Sequence, residues 1–113
     1  MEYTQTQINV IVAESQQAAQ KAAIKFFNEK LGGRDQFACG FAWVEIFGVK
    51  GNTKLGKMLK AAGVSQNYNK TFEIWNPSGV NCQNIDTKEE GARAAAEVFT
   101  RYGFKAYAGS RLD

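Results

Sequence analysis

Histidine is absent from all 113 residues. That removes the commonest general base and metal ligand, and with it the Ser-His-Asp and Cys-His triads. Cysteine occurs twice, at Cys39 and Cys82, and two thiols without histidine cannot close a tetrahedral zinc site. No secretion signal is visible and the chain can build a core without a crosslink, so both are read as reduced, buried thiols. No apolar run approaches the length of a membrane span, and the N-terminus lacks a basic region followed by an apolar stretch. The expected setting is the cytoplasm, with no membrane partner. Proline occurs once against eleven glycines, which predicts tight turns in an otherwise regular chain.

What is present fits one α+β domain over residues 1–113. A 44% hydrophobic content with eight Phe, four Tyr and two Trp can fill one core, which argues against disorder. The net charge of +3 and isoelectric point near 8.9 are a mild basic bias, compatible with a nucleic-acid partner.

Periodicity predicts a first helix over Thr4–Lys30, opened by a Thr4/Gln7 capping box and closed by Gly32-Gly33. The alternative there is a short strand at Ile8–Val12, where β-branched residues cluster. Phe37–Phe47 is the most strand-like segment. Its odd positions carry Phe37, Cys39, Phe41, Trp43, Glu45 and Phe47; its even positions carry the small row Ala38, Gly40, Ala42, Val44 and Ile46. Apolar residues on both faces predict a central strand covered on both sides. Thr53 is the expected N-cap of a short helix ending near Ala62. A strand at Lys70–Trp75, the turn Asn76-Pro77-Ser78-Gly79 and a return strand at Val80–Asn84 follow. A helix over Thr87–Tyr102, begun by Asp86 and Glu89, and a strand at Phe104–Gly109 complete the chain. After the first helix the order is β-α-β-β-α-β, the split βαβ or ferredoxin-like order with a mainly antiparallel sheet. The first helix is the natural cover for the aromatic row.

Gly51-Asn52-Thr53-Lys54-Leu55-Gly56-Lys57 matches seven positions of a phosphate-binding loop, G-x-x-x-x-G-K. The eighth should be a Ser or Thr hydroxyl for magnesium, and here it is Met58. The bland reading, a glycine-containing turn with a capping Thr and a solvated basic helix, is preferred. The charge pattern says more. Between Ile46 and Phe72 there is no acidic residue, yet Lys50, Lys54, Lys57, Lys60 and Lys70 all fall there. Lys54, Lys57 and Lys60 are spaced to line a helix whose exposed N–H groups add to an anion site. The candidate anion-binding residues are therefore Lys50, Gly51, Asn52, Thr53, Lys54, Lys57 and Lys60, and no cofactor or metal is expected.

Cys39 to Ile46 is similar to the RNP1 strand of RNA-recognition domains, whose rings stack on bases. RNP1 belongs on the third strand, whereas this stretch is on the first, so the rings are read as core. Glu45 is expected to pair with a lysine or to lie in water at the strand end. The short polar tail from Ala108 to Asp113 is left open, docked or mobile.

The blocks Cys39–Val44, Gly48–Gly56, Trp75–Gly79 and Ala108–Asp113 resemble a group of small, uncharacterised proteins of tailed bacteriophages. The resemblance covers most of the chain from Phe37 onward. It implies expression in a host bacterial cytoplasm and carries over no functional residue. The leading expectation is a non-enzymatic binding protein that meets an anionic partner (nucleic acid, a nucleotide-like ligand or an acidic host protein) through the basic turn and helix. The alternative is host-protein docking or self-association through an exposed subset of Tyr68, Phe72, Trp75 and Tyr107.

Overall fold

A computed structural model describes residues 2–113. The chain begins with α1 (Gln5–Leu31), followed by β1 (Gly40–Phe47), α2 (Lys54–Ala61), β2 (Ser65–Gln66), β3 (Phe72–Trp75), α3 (Ile85–Arg101) and β4 (Lys105–Leu112). The four strands form one sheet in the order β2-β3-β1-β4, with every neighbouring pair antiparallel.

The helix ends follow the local sequence. Thr4 caps α1 and forms the full capping box with Gln7, while Gly32 closes the helix in the left-handed conformation. Ile8–Val12 is therefore helical. At about 1.5 Å per residue α1 is about 40 Å long, close to the 43 Å long axis of the molecule. Thr53 caps α2. For α3 the cap is Asn84, whose Oδ1 accepts from Thr87 N at 2.8 Å. Asp86 instead lies in the first turn, where its charge complements the helix dipole.

Val80–Asn84 is not the return strand of a hairpin. Asp35 accepts from the amides of Gln83 and Asn84 at 2.8 and 3.0 Å, and only one isolated bridge, Cys39 to Asn84, remains of any pairing. With the Gln83 and Asn84 amides held by a carboxylate and Asn84 committed as a cap, the segment keeps only the bond from Gly40 N to Gln83 O toward β1. Its place in the sheet is taken by β3, and β2 is a two-residue strand upstream.

The small even row of β1 behaves as its size suggests. Ala42, Val44 and Ile46 are fully buried, and Val44 and Ile46 share a cluster with Phe72, Ala106 and the apolar stripe of α3, including Ala95, Ala96 and Phe99. At Gly40 an added Cβ would lie 2.5 Å from Ile85 Cδ1, so α3 approaches the sheet more closely there than a side chain permits. The first helix does not cover the aromatic row. It packs along α3, on the same side of the sheet, and its Ile8, Ile11, Val12 and Ala19 join the even-row core. The small residues Ser15, Ala19 and Ala23 are fully or nearly fully buried in that seam, where the Gly91 backbone passes close to the Ala19 carbonyl. The odd row is consequently open: Phe41, Trp43 and Glu45 are half-buried and Phe47 is exposed.

The tail is docked and, contrary to expectation, one of the two thiols is not buried. The tail is ordered strand, since β4 pairs with β1 from Lys105 to Leu112. Cys39 is exposed and Cys82 buried, and no disulfide joins them. Among the described residues no helix is long and apolar enough to cross a membrane.

Candidate functional site

The basic segment folds around its cap. Thr53 Oγ1 accepts from Gly56 N at 3.1 Å and donates to the Lys50 carbonyl at 2.6 Å. A Cβ on Gly56 would stand 2.2 Å from that carbonyl oxygen. Glycine at 56 thus lets the Gly48–Asn52 turn fold onto the first turn of α2. The likeness to a phosphate loop has this structural source: the Gly56 amide and the Thr53 hydroxyl are both engaged in capping.

The folded turn, the exposed side of α2 and the β2–β3 connection enclose a groove of about 860 Å³. Lys50, Gly51, Asn52, Lys57 and Lys60 line it from one side, and Gln66, Asn67, Tyr68 and Lys70 from the other. The four lysines are solvent-exposed, and no carboxylate lines the groove. Lys60 Nζ donates to Gly51 O at 3.3 Å and Gln66 Nε2 to Lys70 O at 3.2 Å, which ties the two walls to their own turns. Lys70 adopts a left-handed φ of 63° and turns the chain back into β3.

Five of the seven predicted anion-site residues meet here. Thr53 is a structural cap, and Lys54 points elsewhere, beside Tyr3, Leu55 and Met58. The proposed lysine row fails because each three-residue step falls about 60° short of a full turn, so Lys54 sits about 120° round from Lys60. The opposite wall, Gln66 to Lys70, was not among the predicted site residues. Its one visible signal was the acid-free run from Ile46 to Phe72, which included Lys70.

The open sheet face begins beside this groove. Trp43 and Trp75, register partners on β1 and β3, stack with ring centroids 4.9 Å apart. Phe41 meets Trp75 edge-on at 5.9 Å, and Phe47 meets Tyr107 at 5.8 Å. From the tail strand, the Arg111 guanidinium lies 5.4 Å from the Phe41 centroid and 5.8 Å from that of Trp75, a cation–π arrangement. Lys88 Nζ donates to Gly40 O at 2.9 Å and also lies 5.4 Å from the Phe41 ring. At Gly109 an added Cβ would come within 2.5 Å of the Trp43 indole, so that ring lies flat on the β4 backbone.

Two carboxylates face each other across this surface, Glu45 and Glu73. Like charges directly opposite are unfavourable, and each is held by donors. Trp43 Nε1 donates to Glu45 at 3.2 Å and Trp75 Nε1 to Glu73 at 2.8 Å. Thr71 Oγ1 donates to Glu45 at 2.6 Å and Asn67 Nδ2 to Glu73 at 3.2 Å. Glu45 thus has neither a lysine partner nor a place in open water at the strand end. Among the described residues no group of three or more Cys, Asp or Glu side chains is placed to hold a metal ion.

Of the residues expected to form a docking patch, Phe72 is fully buried in the core, while Tyr68, Trp75 and Tyr107 are exposed. Compared with protein-family models, curated proteins and solved structures, the chain has no match, so the reading of this surface rests on its own chemistry.

Proposed function

We infer that the chain is a non-enzymatic binding protein of the tailed-phage type, acting in the bacterial cytoplasm on an anionic partner. The candidate partners are nucleic acid, a nucleotide-like ligand and an acidic protein surface. One observation carries this reading: Lys50, Lys57, Lys60 and Lys70, from three separate segments, converge on one groove without a lining carboxylate. A concave surface of one sign concentrates the field and draws in the opposite charge. The non-enzymatic part is supported by the buried thiol. Burial, and then the nearby Asp35 charge, push the Cys82 thiol above its ordinary value, the reverse of what a nucleophile needs. For the fold, the order β-α-β-β-α-β after α1 and the antiparallel neighbours support a ferredoxin-like arrangement with an added N-terminal helix.

The test is elution from immobilised heparin. Lys57→Ala with Lys60→Ala should elute at clearly lower salt than the unaltered protein, because each lost phosphate-type contact flattens the salt dependence. Lys54→Ala, outside the groove, should elute almost unchanged. Equal shifts for the two variants would mean a diffuse basic surface and end the assignment of the site. A second reading, docking or self-association through the open rings, is favoured by the exposure of Trp75 and Tyr107. It requires association that survives high salt, where the groove reading requires loss.

A further inference from the structure

We propose that the anionic partner is single-stranded nucleic acid, with phosphates in the lysine groove and bases stacked on the open aromatic face of the sheet. The inference rests on the anion-binding reading above and adds a second surface to it.

The two surfaces are joined by the chain itself. β1 ends at Phe47, just before the groove residues Val49 and Lys50, and β3 begins at Phe72, two residues after the groove residue Lys70, and ends at Trp75. From Phe72 to Trp75 the strand spans about 10 Å, so a few nucleotides can reach from the groove to the rings. Phe47, the last residue of β1 before the Gly48–Asn52 turn, carries the ring row from Trp43 toward Lys50 and is paired edge-on with Tyr107 of β4. At the far end Arg111 lies over Phe41 and Trp75, offering a planar cation both to a base and to a phosphate. A basic track with interleaved rings on an open sheet is the physical requirement for binding unpaired bases.

The carboxylates narrow the choice of occupant. An acidic protein surface laid on this face would set its own charges against Glu45 and Glu73. Bases are neutral and bring amino groups, which carboxylate oxygens accept. The same pair repels phosphate from the centre of the sheet and directs the backbone toward the lysines. A duplex keeps its bases stacked internally and can use the groove alone.

Fluorescence anisotropy tests this with labelled single strands of about 15 nucleotides, the matching duplex, and labelled heparin. The single strand should bind more tightly than the duplex. Trp75→Ala and Tyr107→Ala should each weaken single-strand binding about tenfold and leave heparin unaffected. Lys57→Ala with Lys60→Ala should weaken every ligand. In the unaltered protein the single strand should quench tryptophan emission and heparin should not, which needs no variant to fold. Equal binding of single strand and heparin, with no quenching and no effect of Trp75→Ala or Tyr107→Ala, would overturn the stacking inference and leave the anion reading standing. Failure to bind any of the three would overturn both.

Discussion

The two faces of one sheet, built from the same residues in alternation, have opposite fates. The even face of β1 and its neighbours on β3 and β4 carry Ala42, Val44, Ile46, Phe72 and Ala106, and α3 lies against them. The odd face carries more aromatic surface, yet it stays open. The difference lies in the charged residues that the sheet register brings together. Glu45, Glu73, Lys105 and Arg111 all fall on the odd face, whereas the even residues opposite them are uncharged. Burying that face under a helix would strand two opposed carboxylates and two cations away from water, at a cost of several kcal/mol per unpaired ion. Ring content alone is a poor guide to burial; ring content together with the charges of the paired strands is a better one.

The comparison breaks most visibly on β3, where Phe72 and Trp75 lie three residues apart on opposite faces. Phe72→Ala removes a fully buried ring and should cost about 3–5 kcal/mol. Trp75→Ala removes a ring that is 45% exposed and loses mainly its stack on Trp43, about 1 kcal/mol. Urea midpoints of the two variants would measure this. Equal losses would mean that the odd face is covered in solution, which would also remove the surface proposed for bases.

The contrast shows which parts of the fold the sequence held. Caps were legible, because Thr4 with Gln7, and Thr53, act over three residues and need no distant partner. The small row of β1 was legible as a covered face of a central strand. What covers what was not, because the decisive signal sits on α3 and not on the strand. Thr87, Gly91, Ala92, Ala95, Ala96, Val98 and Phe99 are all buried, too wide an arc for one neighbour. A helix so broadly apolar needs a second cover besides the sheet, and α1 supplies it. The stripe Ala92, Ala95, Ala96, Phe99 and Tyr102, taken alone, leaves α1 free to be assigned to the aromatic face. The Val80–Asn84 segment failed for a different reason: Asp35 holds its amides from 48 residues away in sequence, and no local pattern encodes that. The groove was half legible, since charge composition marked Lys50, Lys57 and Lys60, while the opposing Gln66–Lys70 wall depends on the β2–β3 pairing.

A smaller effect sharpens the comparison with one glycine on each face. At Gly40 an added Cβ meets Ile85 at 2.5 Å and the Arg111 carbonyl oxygen at 2.6 Å, the latter backbone. At Gly109 its nearest neighbours are atoms of the Trp43 indole, also at 2.5 Å, and that ring borders solvent and can swing outward. Gly40→Ala should therefore cost about 2–3 kcal/mol, near the top of the range for overpacking, and Gly109→Ala about 1 kcal/mol. Gly109→Ala should also shift the tryptophan emission, because moving Trp43 breaks its hydrogen bond to Glu45 and its stack on Trp75. The reverse order of stabilities would place the rigid packing on the aromatic side.

The smallest effect separates the two thiols. Cys39, at the open end of β1, is exposed, and Cys82 is buried, so a thiol reagent should modify one cysteine quickly and the second only as the protein unfolds. Burial and the nearby Asp35 charge raise the Cys82 pKa, so the folded state favours the neutral thiol. Below the unfolded value of about 8.5 both states are protonated and this contribution to stability is fully present. As pH rises past that value the unfolded thiol ionises first, the unfolded state binds fewer protons, and stability falls until the folded thiol has titrated as well. Cys82→Ala lacks this group, so between about pH 8 and pH 10 its urea midpoint should fall less steeply than that of the unaltered protein. Cys39→Ala should keep the full slope. Identical slopes for the two variants would show that Cys82 is solvated in solution, and that the helix side of the sheet is looser than its packing indicates.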